Sequence, residues 1–165
     1  MKKQLVAVFS WLVTLWTAKV FLSSLPYKFT NHPDTQHIFG TIGQWMEGVL
    51  GTSVGQWFSA HGAVAVGTVE LLATLLLLSP ALLFVVGKFA QLPQFLNRAL
   101  IHGLGGLAAA GVMAGAVFFH LATPLGIVVL HQGKSDGGSL FYAACSILVL
   151  GLVMGVVNLL QLRKA

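Results

Sequence analysis

The sequence predicts an all-α, polytopic membrane protein: a bundle of four transmembrane helices with an amphipathic helix in the first outer loop. Of the 165 residues, 56% are apolar and only 8% are Asp, Glu, Lys or Arg, whereas an ordinary soluble domain has about 25% charged residues. The mean hydropathy is +0.86, and four apolar stretches alternate with short polar segments. So few charges cannot coat a soluble globule. We find no tandem repeat and no soluble part, so a single membrane domain is expected over residues 1–165.

The four apolar stretches are each long enough to cross a bilayer, which takes about 20 mostly apolar residues in a helix. They cover residues 4–25, 61–86, 99–123 and 139–162. Pro26 follows the first stretch, and proline lacks the backbone N–H that a helix interior needs. A polar run follows Pro26. We therefore expect the first helix to end before Pro26.

The positive charges predict the orientation in the membrane, because short cytoplasmic loops retain Lys and Arg. Most of the nine cations lie at the two termini or between the second and third stretches: Lys2, Lys3, Lys88, Arg98, Arg163 and Lys164. Both termini are therefore predicted to face the cytoplasm, in a cell inner membrane. The start resembles a secretory signal, but no small-x-small cleavage site follows it, so we interpret the first helix as an uncleaved signal anchor.

The loop between the first and second stretches is predicted to contain a helix. Between residues 35 and 50, apolar side chains recur at helical spacing and polar ones take the other angles. This pattern predicts a helix on the outer leaflet, with Trp45 and Trp57 at the depth of the membrane interface. A lid packed on the bundle is an equally good interpretation. Three glycines predict a flexible link to the second stretch: Gly48, Gly51 and Gly55.

Composition excludes two classes of function. The net charge is +5, but the cations are scattered rather than clustered on one face, so nucleic acid is not expected as a partner. Cys145 is the one cysteine of the chain, so the chain cannot form a dithiol and run disulfide chemistry alone. No metal site is expected, since the chain has neither a zinc-finger motif nor a haem-attachment motif.

Ionisable residues inside the apolar stretches mark a candidate site, because such groups are costly in lipid and usually face a bundle interior. Measured from the outer ends of their helices, Lys19 lies roughly 9 Å deep, Glu70 roughly 13 Å and His120 roughly 5 Å. We therefore expect a cluster in the outer half of the membrane. Glu70 either pairs with one of these groups or with Lys28, or it is neutral. A structural ion pair and a functional group remain equal alternatives.

Two further histidines give weaker signals. His102 lies about five turns from His120 on one face of the third helix, and that helix supplies no polar step between them. We therefore expect no proton relay along it and interpret His102 as an interfacial residue beside Arg98. His61 and His120 could ligate a b-type haem between two helices. Because His61 sits at a border and a second histidine pair is missing, haem b is not expected.

Glycines at GxxxG spacing occur on the third and fourth stretches, at Gly111 and Gly115 and at Gly151 and Gly155. Small residues at this spacing allow helices to approach closely. The contact could lie within the bundle or in a homodimer, and an intramolecular contact is the more common case.

Five short strings follow one another along the chain: PYKFT (26–30), GTVELLATLLLL (67–78), MAGAVFFHL (113–121), LGIVV (125–129) and DGGSLF (136–141). In this order and spacing they resemble the DoxX and DoxX-like family of small membrane proteins, over about residues 25–150. The resemblance implies a four-helix membrane bundle. It singles out five positions that match the family's motif: Lys28, Glu70, His120, Asp136 and Gly137. Lys19 does not match the motif, which favours Lys28 over Lys19 as the partner of Glu70.

These residues lead to one functional hypothesis and one alternative. In the first, an outer-half pocket formed by Glu70, His120 and Lys28 binds a lipophilic molecule such as a quinone, and Lys19 is a further ion-pair partner. A quinone needs an apolar slot with groups that hydrogen-bond its carbonyls and move protons. The family name comes from a subunit of a quinone-linked oxidase or thiosulfate oxidoreductase complex. The resemblance therefore implies an accessory subunit of a respiratory or redox-stress complex rather than an enzyme by itself.

In the alternative, the chain is a non-enzymatic membrane scaffold or a small transporter. The same cluster of Glu, His and Lys side chains then serves to lock the helices together. Four spans without an obvious inverted repeat make a transporter the weaker form of this alternative.

Overall fold

In the computed structural model, the described residues are 2–91, 93 and 96–163. They form five helices and one antiparallel hairpin, and the predicted all-α class is confirmed. The elements are α1 (Lys2–Phe29), α2 (Pro33–Leu50), α3 (Thr52–Val86), α4 (Arg98–Ala122), β1 (Leu130–His131), β2 (Lys134–Ser135) and α5 (Ser139–Leu162). Of the cations in the orientation argument, Lys164 and the Lys2 side chain lie outside the described residues.

Four of the described helices, α1, α3, α4 and α5, are long and apolar enough to cross a membrane. Large apolar side chains cover their outward faces, among them Leu12, Leu72 and Val149, which are 63%, 60% and 58% exposed. A second apolar set fills the space between the helices: Val13, Phe21, Ala73, Leu77, Ala109, Met113, Ala144, Ile147 and Met154. A bundle whose outer surface is as apolar as its interior is suited to a lipid environment.

α1 continues past Pro26, so the prediction that it ends there is wrong. Proline removes one hydrogen bond within a helix, but its own carbonyl still accepts from the backbone N–H of Thr30 at 3.1 Å. The helix closes instead at Asn31, whose φ of 54° is left-handed, a conformation that Asn adopts more readily than most residues. The added turn places Lys28 on the helix rather than in a loop.

α2 forms where a helix is expected between residues 35 and 50, and it packs on the bundle. Its buried Ile42 and Met46 contact Leu125 and Val129 of the segment that follows α4. Trp45 lies against Phe118 of α4, with ring centres 6.1 Å apart. These contacts make α2 a lid over one end of the bundle.

The glycines near the junction of α2 and α3 do not form the flexible link that their number suggests. Gly51 alone separates the two helices, with a φ of 95°. Gly43 and Gly55 lie where α2 crosses α3, and a Cβ on Gly55 would lie 2.5 Å from the Gly43 carbonyl oxygen. The two backbones therefore touch. α3 begins at Thr52 rather than at residue 61.

α4 and α5 agree closely with the third and fourth predicted stretches, and the Asn97 side chain caps α4 by accepting a backbone N–H. The two helices touch through glycine, since a Cβ on Gly106 would lie 2.8 Å from the Gly151 carbonyl oxygen. Gly151 therefore makes a contact within the chain. A Cβ on Gly111 or Gly115 would meet no atom of the described residues within 4 Å, so this pair takes no part in that contact.

Candidate functional site

A buried ion pair joins α1 to α3. Lys28 Nζ lies 2.6 Å from Glu70 Oε2, and the two side chains are 14% and 4% exposed. A carboxylate this buried needs a partner, because an unpaired charge is costly away from water. Of the two candidate lysines, the structure pairs Glu70 with Lys28, the one that matches the resembled motif.

Ser24 completes a three-residue group with this pair, which we name the Lys28–Glu70 cluster. Its Oγ accepts from Lys28 Nζ at 2.7 Å and lies 3.0 Å from Glu70 Oε2. The Phe21 carbonyl oxygen is 2.7 Å away, and the single hydroxyl hydrogen can serve only one of these two acceptors at a time. The bonds from Lys28 and Ser24 to the carboxylate both fall on Oε2. Neither reaches Oε1.

The geometry of this cluster follows from the spacing of its residues. Ser24 and Lys28 are one helical turn apart on α1, so they project toward the same part of α3. Gly67 lies one turn before Glu70, and a Cβ there would be 3.3 Å from Lys28 Cδ and 3.1 Å from the Phe29 ring. The missing side chain leaves room for the lysine stem to lie across α3.

Lys19 is placed apart from this cluster. Its ammonium lies 5.7 Å from the centre of the Trp16 ring, and the residue is exposed on α1. A cation near the face of an indole is a favourable arrangement. Lys19 therefore has a partner of its own, and it offers a control for experiments on Lys28.

His120 is buried, but it lies in a different part of the bundle from Glu70. Its Nδ1 is 2.6 Å from the Gly126 carbonyl oxygen, and because a carbonyl only accepts, Nδ1 carries a hydrogen. The neighbouring Phe119 packs on Phe58 of α3 with ring centres 5.6 Å apart. Glu70 lies about 18 Å further along α3. The depth estimate placed Glu70 and His120 together because it began α3 too late.

His120 belongs instead with the segment between α4 and α5. Its ring meets Phe141 of α5 edge on, with 5.7 Å between the ring centres. The Asp136 carboxylate accepts three backbone N–H groups, two from this segment and one from the first turn of α5. The donors are Val129 at 2.7 Å, Gly138 at 2.9 Å and Leu140 at 3.1 Å. Gly137 has a φ of 61°, which glycine adopts without strain. These two motif positions therefore shape the turn into α5.

The haem hypothesis gains no support from the contacts of its two histidines. His61 is exposed on α3 beside Trp57, with ring centres 5.7 Å apart. His120 is buried, and its Nδ1 is engaged by a backbone carbonyl. Among the described residues, no group of three His, Cys, Asp or Glu side chains is placed to hold a metal ion.

The sequence alone does not lead us to a line of buried polar side chains on α1. Ser10, Thr14 and Thr17 are each 0% exposed, and we name them the α1 polar stripe. They recur every three or four residues, on the helix face that also carries Ser24 and Lys28. This spacing is visible in the sequence. A search for ionisable groups misses it because hydroxyl groups carry no charge.

His102, which is expected at the membrane interface beside Arg98, is buried between helices of the bundle. It is 0% exposed, and its ring meets Trp11 of α1 edge on at 4.9 Å. Near it, Arg98 Nη1 donates to Asn158 Oδ1 at 3.2 Å, and Asn158 Nδ2 donates to Ser10 Oγ at 2.8 Å. The polar interior thus reaches the end of the bundle at which α4 begins, which we name the Arg98 end.

A further polar group lies at the opposite end, where α2 meets the hairpin. His131 Nδ1 lies 2.7 Å from Asp34 Oδ1, and the His131 ring stacks on His37 with centres 4.6 Å apart. The hydrogen bond from His131 holds the pKa of Asp34 below its ordinary value, and the nearby His32 and Lys134 act in the same direction. The group fastens the lid helix to the hairpin.

In comparisons with family models, curated proteins and solved structures, nothing matches the chain significantly. The resemblance to the DoxX family therefore stays an expectation that rests on the five strings. In the structure these strings form two groups. The first two strings meet at Lys28 and Glu70, and the last three meet around His120 and Asp136.

Proposed function

We propose that the chain is a DoxX-like multi-pass protein of the cell inner membrane, and that the Lys28–Glu70 cluster binds a lipophilic ligand of the quinone class. Four helices long and apolar enough to cross a membrane support the placement in a bilayer. Lys88, Arg98 and Arg163 all lie near the Arg98 end. This charge distribution supports cytoplasmic termini, because short cytoplasmic loops retain cations.

The observation that carries the ligand proposal is the one-sided bonding of Glu70. Lys28 and Ser24 both bind Oε2, and Oε1 takes no bond from either. Of the three N–H groups of an ammonium, Lys28 uses one on Ser24 and one on Glu70. A third N–H can donate to a quinone carbonyl, and Oε1 can accept from a quinol hydroxyl. The cluster thus presents a donor beside an acceptor, in an apolar bundle.

His120 is not part of this proposed site, because its contacts lie with Gly126 and Phe141. The proposed role is that of an accessory subunit in a respiratory or redox-stress complex. With Cys145 as the one cysteine, the chain cannot supply a dithiol, so the electron carrier would belong to a partner subunit. The open face at Gly111 and Gly115 is where a partner helix, including that of a second copy, would pack most closely.

A second candidate function is a non-enzymatic scaffold in which the same cluster locks α1 against α3. The direct contact of 2.6 Å between Lys28 and Glu70 favours this function. A direct ion pair already gives the buried carboxylate a counter-charge and a hydrogen-bond donor, so it needs no ligand. In this case the cluster would bind nothing, and its loss would affect stability alone.

Photolabelling with an azidoquinone separates the two candidates. The purified protein is irradiated with the reagent, and the labelled peptides are mapped by mass spectrometry. We expect labels on the α1 and α3 peptides that hold Lys28 and Glu70. Glu70→Gln should reduce the labelling about ten-fold, because a hydrogen bond to a charged group contributes about 1.5–3 kcal/mol.

Matched controls guard against a general loss of structure. Glu47→Gln changes a carboxylate of α2 outside the cluster, and Lys19→Met changes the exposed lysine of α1 in parallel with Lys28→Met. Both controls should retain the labelling. If the wild-type protein is labelled elsewhere or not at all, while Glu70→Gln still lowers its thermal stability, the scaffold is the correct function.

A further inference from the structure

Four buried polar atoms on α1 and α4 have no hydrogen-bond partner among the described residues. They are Thr14 Oγ1, Thr17 Oγ1 and both ring nitrogens of His102. All three residues are 0% exposed. An unpaired polar atom away from water costs about 1–3 kcal/mol. Buried groups of this kind are usually satisfied by internal water.

Other hydroxyls in the same bundle use their own helix instead. Ser10 Oγ donates to the Val6 carbonyl at 2.7 Å, and Thr74 Oγ1 donates to the Glu70 carbonyl at 2.8 Å. Thr14 and Thr17 make no such bond. The Leu77 carbonyl lies near the His102 ring, where it can serve one ring N–H at most. The other ring nitrogen and both threonine hydroxyls are therefore available to water molecules.

The unpartnered atoms continue a polar line that starts at the Arg98 end. Arg98, Asn158 and Ser10 are joined by direct hydrogen bonds. Thr14 and Thr17 follow on the next turns of α1, and side chains one turn apart are about 5–6 Å from each other. One water molecule that makes two hydrogen bonds spans such a step. The contact of Trp11 with His102 places the imidazole beside this part of α1.

Phe21 interrupts the line before it reaches the Lys28–Glu70 cluster. Its side chain is 1% exposed and occupies the turn of α1 between Thr17 and Ser24, on the same face. The step from Thr17 to Ser24 is about 10 Å along the helix, which is too long for one water molecule. An apolar constriction of this kind keeps water out until the side chain moves.

We propose that the α1 polar stripe and His102 form a water-filled proton path from the Arg98 end toward Glu70, and that the Phe21 ring closes it. At each step an oxygen or a ring nitrogen receives one proton and releases one to the next, so only charge moves and no group is consumed. His102 can pass the proton on, because a neutral imidazole has one ring nitrogen that accepts a hydrogen bond and one that donates. The path rests on the membrane placement proposed above, whatever the Lys28–Glu70 cluster binds.

Proton entry into liposomes that contain the purified protein tests the path. A pH-sensitive dye is enclosed, and valinomycin with a potassium gradient sets the membrane potential. Phe21→Ala is expected to raise the proton flux about five-fold over the wild-type protein, because it removes the apolar constriction. Adding Thr14→Val and Thr17→Val should return the flux to that of protein-free liposomes, since valine keeps the shape of threonine without its hydroxyl.

Ser23→Ala in the Phe21→Ala background is the matched control, because Ser23 is an exposed hydroxyl on α1. Its flux should equal that of Phe21→Ala alone. Phe21→Val removes less of the ring and keeps the test usable if alanine unfolds the protein. A flux that does not rise in either Phe21 variant, or that persists after both threonines are replaced, overturns the path. Protein that fails to float with the liposomes overturns the membrane placement instead.

Discussion

The backbone N–H of His32 donates to the Tyr27 carbonyl at 3.1 Å, and the two rings meet edge on with their centres 4.8 Å apart. This hydrogen bond closes the end of α1. Asn31, the residue before His32, has a φ of 54°, and a left-handed residue at this position is a common way to end a helix. The turn fixes the end of α1 beyond Pro26. It therefore keeps Lys28 on the helix and opposite Glu70.

Replacing Asn31 should destabilise the protein in proportion to the strain at this φ. Asn31→Val is expected to cost about 1–2 kcal/mol, because left-handed backbone is unfavourable for a residue with a Cβ and worst for a branched one. Asn31→Gly should cost little, since glycine adopts this conformation freely. Thermal unfolding in detergent, followed by circular dichroism, measures both. Identical midpoints for the two variants would mean that the turn does not hold the end of α1.

Gly67→Ala should disturb the Lys28–Glu70 cluster directly. The new Cβ would lie 3.3 Å from Lys28 Cδ and 3.1 Å from the Phe29 ring, so the lysine stem must shift to make room. We expect weaker azidoquinone labelling, because the shift moves the ammonium relative to Glu70.

Gly111→Ala is the matched control for Gly67→Ala, because a Cβ there meets nothing within 4 Å. Alanine is favoured over glycine in a helix by about 0.5–1 kcal/mol, so this variant should be at least as stable as the wild-type protein. Labelling that falls equally in both variants would contradict the role assigned to Gly67.

The sequence predicts α4 and α5 well because caps, charges and length all mark their ends. It does not predict where α1 ends or where α3 begins, because at each of these places a second local effect outweighs the one on which the prediction rests. Pro26 removes a single hydrogen bond, whereas Asn31 provides the conformation that closes the helix. The glycines near Gly51 suggest flexibility, but Gly43 and Gly55 serve a close helix crossing. Each error moves a site residue, since one puts Lys28 in a loop and the other sets Glu70 at the wrong depth.

The candidate site is predictable only in part, for a physical reason. Glu70 stands out as a charge in an apolar stretch, and the family resemblance singles out Lys28, so both can be found from the sequence. Hydroxyl groups do not stand out, so Ser24 is missed although it bonds to both. Contacts between distant parts of the chain, such as that of Asp34 with His131, depend on how the helices pack. No local pattern contains that information.

Gly106→Ala should destabilise the contact between α4 and α5. Its Cβ would lie 2.8 Å from the Gly151 carbonyl oxygen, and backbone yields less readily than a flexible side chain. A loss of about 1–3 kcal/mol is expected, seen as a lower unfolding midpoint. Gly115→Ala, which fills open space, should not lower the midpoint. The opposite ranking would place the tight contact at Gly111 and Gly115, between copies of the chain.

Reporter fusions at the two termini test the proposed orientation. A reporter that is active only in the cytoplasm should be active at both ends, because the cations of the chain are concentrated near the termini and between α3 and α4. A reporter that is active only outside the cytoplasm should be silent at both. Activity of the second reporter at either end would show that the charge distribution does not set the topology.

Acid should weaken the turn at Asp136. Partial burial raises the pKa of this carboxyl, but the hydrogen bonds from the backbone N–H groups of Leu140, Gly138 and Val129 outweigh it, so the pKa lies below the ordinary value. A carboxylate whose pKa is lower in the folded state than in the unfolded state stabilises the fold when the pH is above the unfolded-state pKa. That stabilisation is lost as the pH falls through the folded-state pKa. The contribution is therefore present at pH 7 and declines below about pH 4.

Asp136→Asn isolates this contribution from those of the other carboxylates. The amide keeps one oxygen for the Val129 and Gly138 donors, but turns an NH₂ group toward the Leu140 N–H, so that two donors face each other. The variant should lose about 1–3 kcal/mol at pH 7. Since asparagine does not titrate, the difference in unfolding midpoint between wild type and variant should shrink as the pH is lowered from 6 to 3, as differential scanning fluorimetry can measure. A difference that stays constant over this range would mean that the charge of Asp136 does not hold the turn.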